Sequence, residues 1–283
     1  MTQGELYRTG RRILRECGID TDAFDAMSLL TAVLGISRQQ LLVHGDTPVP
    51  LPQSERYLGL IRQRGEHTPL QYLLGRWEFL DMTLQVGQGV LIPREETELL
   101  CRLAAEKLEK GGVGLDLCAG TGAVGLGLQR LCPQKQIWAV EKYAPAFSYL
   151  EANIRQWAPG TVQPVRGDVL TGECSSPLPE SVDFLLSNPP YVAKGEYDSL
   201  QEEVKREPDT ALLGGETGLD FYRAIAAFWV PRLRAGGLLA VEIGEEQAPA
   251  VTEIFRRAGI GELMVHRDFM DLDRVVMGAK NRT

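Results

Sequence analysis

The stretch Val113-Gly114-Leu115-Asp116-Leu117-Cys118-Ala119-Gly120-Thr121-Gly122-Ala123-Val124-Gly125-Leu126-Gly127-Leu128 restricts the fold more than any other part of the chain. An apolar run gives way to a glycine-containing turn and then to a small-residue helix start. That order lets a ligand approach backbone at the C-terminal end of a strand. The dinucleotide pattern G-x-G-x-x-G does not fit, because Cys118 stands where its first glycine would be. Beyond Gly111 the alternation continues, with strands predicted at 113–118, 136–140, 161–166, 182–187, 237–243, 262–266 and 273–278, and helices at 122–131, 144–157, 219–230 and 246–257. This order predicts an α/β fold with a doubly wound, seven-stranded Rossmann-like sheet and a ligand crevice at the strand C-termini.

A second stretch, Asp183-Phe184-Leu185-Leu186-Ser187-Asn188-Pro189-Pro190-Tyr191, reads as a short buried strand that ends in an amide, two prolines and an aromatic ring. The prolines fix φ and cannot donate hydrogen bonds, so they make a stiff ledge. A planar NH2 group has two hydrogens to donate, and the Asn188 side-chain oxygen with the Pro189 carbonyl would supply two acceptors, while Tyr191 offers a flat face. Taken alone, Asn-Pro-Pro-Tyr is also what an ordinary turn looks like. Two acids close neighbouring strands. Glu141, about twenty residues after the glycine turn, can accept from both hydroxyls of a ribose, and Asp168 can accept from an adenine amino group.

Residues 1–75 read as helices: one with Leu6, Ile13, Leu14 and Cys17 at helical spacing, one from Asp22 to Leu34 with Thr21 as N-cap and Gly35 beyond its end, one capped by Ser37, and one over 53–64. Such a module fits either a structural cap or a partner-recognition unit, and recognition is the preferred reading. Residues 76–93 read as an extended hairpin linker broken at Gly87-Gln88-Gly89, and 94–283 as the α/β domain, opening with an acidic helix start that continues to about Lys110. Arg94 and Glu98 fit either a structural ion pair or the wall of the site.

Composition narrows the function. Five scattered cysteines without C-x-x-C spacing and three histidines point to neither a disulfide framework nor a metal site. A formal net charge of −8 lacks the basic excess of a nucleic-acid binder. No apolar run approaches a membrane span and the N-terminus lacks the build of a signal peptide, so a cytoplasmic protein is expected.

The D-L-x-x-G-x-G turn resembles motif I of S-adenosylmethionine (SAM) methyltransferases, and Asn-Pro-Pro-Tyr resembles motif IV of those that methylate planar amino groups. The whole chain resembles the protein-(glutamine-N5) methyltransferases of the HemK/PrmC type, through Pro69 to Gly75, Leu91 to Glu98, the motif I turn, Asn188 to Val192, Glu207-Pro208 with Ala211-Leu212, Gly215 to Tyr222, and Gly236-Gly237 leading to Glu242-Ile243-Gly244. The resemblance implies transfer of a methyl group from SAM to the glutamine of the Gly-Gly-Gln motif in peptide chain release factors. It implies that Asp116, Cys118, Ala119, Gly120, Thr121, Gly122, Glu141, Asp168, Val169 and Asn188 hold SAM. It further implies that Asn188, Pro189, Pro190 and Tyr191 hold the glutamine amide, and that the helical module docks the release factor, with no direct nucleic-acid partner and a monomeric enzyme. The chain departs from the family in carrying Glu141 where Asp is frequent, and Val169 where some members have an aromatic residue beside the adenine. Two other readings stay open: an amino-group methyltransferase acting on a DNA or RNA base, and a non-catalytic SAM-binding adaptor.

Overall fold

The computed structural model describes residues 1–109 and 111–282, and the chain divides into two compact units. Met1–Arg76 with Gln201–Arg206 forms one; Trp77–Leu200 with the chain from Glu207 onward forms the other.

The first unit contains α1 (Gln3–Glu16), α2 (Asp22–Leu34), α3 (Arg38–Val43), α4 (Leu51–Gly65) and α5 (Leu70–Leu74). Its helices bury Leu6, Leu14, Leu29, Leu30, Tyr57 and Ile61. Thr2 and Ser37 close capping boxes, and Gly35 ends α2 in the left-handed conformation. Thr21 occupies the expected N-cap position, but its hydroxyl donates to Asp25 Oδ2 at 2.9 Å and makes no backbone cap. Arg64, 2% exposed, pairs with Asp25 at 2.6 Å and with Glu203, which ties the returning segment 201–206 to this unit.

The second unit opens with β1 (Arg76–Phe79) and β2 (Met82–Gln85), a two-stranded sheet. The hairpin turns at Leu80-Asp81 and not at Gly87-Gln88-Gly89 as its glycines suggested; Leu80 takes φ 53° while Glu98 Oε1 accepts its N–H at 2.7 Å. Phe79, Met82 and Leu84 are buried against the α/β core, so this segment is part of that unit. There follow α6 (Glu95–Lys107), β3 (Val113–Leu117), α7 (Ala123–Leu131), β4 (Gln136–Glu141), α8 (Ala144–Trp157), β5 (Val162–Asp168), β6 (Glu173–Cys174), β7 (Val182–Ser187), α9 (Asp209–Leu212), α10 (Asp220–Ala224), β8 (Leu233–Glu242), α11 (Ala248–Arg257), β9 (Ile260–Arg267) and β10 (Asp273–Lys280). α6 ends at Lys107, with Leu108 already extended, short of the expected end near Lys110, a residue that itself lies outside the described ones.

These strands form one sheet in the order β6-β5-β4-β3-β7-β8-β10-β9. It contains the seven expected strands plus β6, a two-residue antiparallel edge too short to show a periodicity. β3, β4, β5, β7 and β8 run parallel, and β10 returns antiparallel to β8. From Phe184 to Leu186 the side chains of β7 alternate between two cores, Phe184 and Leu186 entering one and Leu185 the other, while Val182, beyond an irregularity in the pairing with β8, joins Leu185. Both faces are therefore covered, which is why the strand reads as an unbroken apolar run. The strand order reverses between β3 and β7, and the crevice opens there.

The helix expected over 219–230 divides into α10, a π-helical turn over Ile225–Trp229 and a 3-10 turn over Val230–Arg232. The π turn carries Trp229, whose indole N–H donates to the Val169 carbonyl at 2.9 Å.

Candidate active site

A cleft enclosing about 870 Å³ of empty space, open solvent included, lies at the C-terminal ends of the parallel strands. Its floor is the turn after β3. Cys118 takes φ 60°, the left-handed conformation a glycine supplies in a dinucleotide turn, and Gly120 and Gly122 follow at φ 56° and 85°. Gly122 is the N-cap of α7. A Cβ at Gly120 would meet Val90 Cγ2 at 3.8 Å and nothing nearer, so the space above the turn is open.

The carboxylate of Glu141 is held by backbone: Oε2 accepts from Gly120 N at 3.0 Å and Oε1 from Tyr143 N at 2.7 Å. Burial raises its pKa, against the pull of those N–H groups. Asp168, at the end of β5, pairs with Lys142 at 2.8 Å and accepts from Leu170 N at 2.9 Å. Apolar groups, among them Val90, Val124, Val140, Val169 and Phe221, make most of the remaining wall.

Cys118, Ala119, Gly120, Thr121, Glu141, Asp168, Val169, Asn188 and Pro190 all line this cavity; Asp116, Gly122, Pro189 and Tyr191 do not. Asp116 is 1% exposed and points away from the ligand space, its Oδ2 accepting from Gly125 N at 2.8 Å. It braces the start of α7 and so holds the turn without touching the cavity. Tyr191 packs in the second core, where burial raises its phenol pKa, and its carbonyl accepts from Gln247 Nε2 at 2.9 Å.

Asn188 follows β7, and its Nδ2 donates to Thr97 Oγ1 at 2.9 Å. The Thr97 hydroxyl in turn donates to Glu242 Oε2 at 2.7 Å. Among the described residues no group donates to Asn188 Oδ1, and Asn188 and Thr97 both line the cavity. Arg94 also lines it, but pairs with Glu207, not with Glu98; Glu207 accepts from Ile92 N at 2.9 Å, and burial raises its pKa against the pull of Arg94. Glu98 instead serves Leu80 N and Arg102.

Thr97, Lys142, Glu207, Trp229 and Glu242 are site-building residues that pattern reading did not single out. Thr97, Glu207 and Glu242 stand inside stretches that carry the family resemblance, and a hydroxyl or an acid beside an apolar strand end was the available signal. Lys142 and Trp229 gave none.

Residues 5–75 match the model of the PrmC N-terminal domain, and residues 95–216 match that of the methyltransferase small domain. A release factor glutamine methyltransferase of Geobacter sulfurreducens is 34% identical over 270 residues, covering 95% of this chain and 93% of that protein. One from Gloeobacter violaceus is 36% identical over 264 residues, covering 91% of each. Among solved structures, a methyltransferase from Pyrococcus furiosus shares the fold at a TM-score of 0.52 and 16% identity, over 70% of this chain and 89% of that one. With this identity sustained across nearly the full length of both chains, the protein belongs to the release factor glutamine methyltransferase family.

Proposed function

We propose that this chain transfers the methyl group of SAM to the side-chain amide nitrogen of a glutamine, the one in the Gly-Gly-Gln motif of peptide chain release factors. The observation that carries this reading is the position of Asn188. Asn188 lines the cavity that also presents Glu141, Asp168 and the glycine turn, and its carboxamide oxygen has no donor among the described residues.

The lining suits SAM. The open space over Gly120 admits a ligand against backbone, two carboxylates stand at adjacent strand ends, and the wall between them is apolar. When bound, SAM supplies a methyl group on a positively charged sulfur. Glu141 would take the ribose hydroxyls, since each of its oxygens already holds one backbone N–H and keeps a further lone pair. Asp168 would accept from the adenine amino group. Asn188 Oδ1 would accept one hydrogen of the glutamine NH2, and the carbonyl of the adjoining Pro189, which is not itself part of the cavity lining, would take the other, fixing the nitrogen for attack. An amide nitrogen is a poor nucleophile, and as positive charge grows on it these two oxygens bind it more tightly than they bind the ground state. Glu242 is committed to Thr97, and Glu207 to Ile92 N and Arg94, so the acidic proton of the methylated nitrogen is released to solvent.

A glutamine side chain alone offers too few contacts to be selected from all others. The helical unit Met1–Arg76 is the part of the chain not committed to the cavity, and its likeness to the PrmC N-terminal domain supports a role in docking the release factor. One copy carries the whole constellation, which supports a monomeric enzyme. The test is incubation with labelled SAM and either a release factor or mixed nucleic acid. Label on the Gly-Gly-Gln glutamine is expected. Label on nucleic acid would replace this reading by a base methyltransferase, and SAM binding without transfer would leave a binding adaptor.

A further inference from the structure

A carboxamide can sit in its site in either of two orientations of nearly equal shape, and only one serves this reaction. With Oδ1 toward the substrate, Asn188 accepts from the glutamine NH2; turned over, it presents a second NH2, donor against donor. What selects between them is the polarity of the neighbouring group. The Thr97 hydroxyl has one hydrogen, and that hydrogen goes to Glu242 Oε2 at 2.7 Å. Its oxygen is left as an acceptor, and it takes Asn188 Nδ2 at 2.9 Å. The reversed carboxamide would set Oδ1 against the lone pairs of Thr97 and lose that bond.

We propose that Thr97 and Glu242 are positioning residues, a buried hydrogen-bond chain that locks the Asn188 carboxamide with its oxygen toward the substrate amide. This rests on the glutamine-methylating reading above. The chain is well placed for the task. Thr97 is 2% and Glu242 1% exposed, so water does not compete for their hydrogen bonds, and the two residues come from α6 and the end of β8, both rigid elements. Burial also makes the arrangement directional, because a buried donor or acceptor left without a partner is costly.

The test uses the full-length enzyme with SAM and intact release factor. Thr97→Val removes the hydroxyl while keeping the shape. It should lower the turnover number by about 10- to 100-fold, with SAM affinity in calorimetry unchanged. Thr97→Ser keeps the hydroxyl and should restore turnover to within a few-fold. Because Thr97 acts through Asn188, Thr97→Val should add little to the loss already caused by Asn188→Ala in single-turnover measurements. Glu242→Gln, which can present an NH2 to Thr97 and reverse the chain, should behave like Thr97→Val and serves where that variant folds poorly. Turnover within a few-fold of the parent in both variants, or a full additional loss on top of Asn188→Ala, overturns the proposal. A parent enzyme that methylates no release factor would instead overturn the functional reading, so the two failures are distinct.

Discussion

Asn153 Nδ2 donates to the Thr121 carbonyl at 3.0 Å and to the Gln85 carbonyl at 3.1 Å, while its Oδ1 accepts from Gln85 N at 2.7 Å. One fully buried carboxamide on α8 thus fastens the end of β2 to the turn that floors the cavity. Replacing it with Ala would strip this partner from the buried Thr121 carbonyl and from the part-buried Gln85 N–H and carbonyl, where a fully buried group left unpaired costs about 1–3 kcal/mol and a part-buried one less because water can reach it. Asn153→Ala should therefore lose about 2–4 kcal/mol in urea unfolding and weaken SAM binding as the turn loosens. An unchanged unfolding midpoint would show that the bonds are replaced at no cost.

Gly120 separates ligand binding from folding. A Cβ there meets only Val90 Cγ2 within 4 Å, at 3.8 Å, but a side chain built on it enters the ligand space and must hold φ 56°. Gly120→Val should abolish SAM binding while the sheet still folds, with thermal stability lowered by the strain of a β-branched residue in the left-handed region. Normal SAM affinity in the folded variant would mean that the ligand does not approach this turn.

What pattern reading recovers here follows from how local the signal is. β7 is a run of apolar residues because both of its faces are covered, and the turn over Cys118 to Gly122 is contiguous, so both are visible in the sequence. The links that aim the site are not contiguous. Thr97 and Glu242 stand 145 residues apart, and Arg94 and Glu207 stand 113 apart, so nothing in the local sequence pairs them. Asp116 belongs to the motif and yet turns inward to Gly125 N, because odd and even residues of β3 face opposite cores. The hairpin turns at Leu80-Asp81, where Leu80 N donates to the Glu98 carboxylate, a partner 18 residues away that no local pattern marks.

Asn188→Ala removes a cavity-lining side chain whose carboxamide oxygen has no donor among the described residues. The rate of transfer should fall by about 10²- to 10³-fold, as on deleting one preorganised polar group, with SAM affinity changed far less. Transfer within a few-fold of the parent would assign the substrate amide to other groups.

Turnover should also depend on the ionisation of Glu242. Burial pushes its pKa up to about 7, with Glu96 adding to the rise, while the Thr97 hydroxyl and the Arg274 and Arg94 cations pull it down. The ionised form accepts from Thr97. The protonated form can donate to the Thr97 oxygen, which turns the hydroxyl hydrogen toward Asn188 and favours the reversed carboxamide. With chemistry rate-limiting, turnover should rise with pH through about 7 and then level, and Glu242→Gln should lose that rise. A parent profile flat between about pH 6 and pH 8 would contradict it.

Asp116 should leave its mark on stability. Its Oδ2 holds Gly125 N, but Oδ1 is buried with no hydrogen-bond partner among the described residues. Burial pushes the pKa from 3.8 up to about 7, aided by the Glu141 charge and opposed by the Gly125 N–H. Between those two values the folded chain binds the proton more tightly than the unfolded chain does. Stability from this carboxyl is therefore fully present below the unfolded value and is lost as pH rises through about 7. Across that window one extra bound proton changes the unfolding free energy by about 1.4 kcal/mol per pH unit, which makes the slope measurable. Asp116→Asn keeps an oxygen for Gly125 N and cannot ionise, so its urea-unfolding free energy should fall less steeply than the parent's over that window. The slope that persists comes from the other carboxyls whose pKa burial raises: Glu242, from 4.5 to about 7, together with Glu141, Glu207 and Asp25. An Asn variant as pH-dependent as the parent would mean that Asp116 ionises in the folded chain as easily as in the unfolded one.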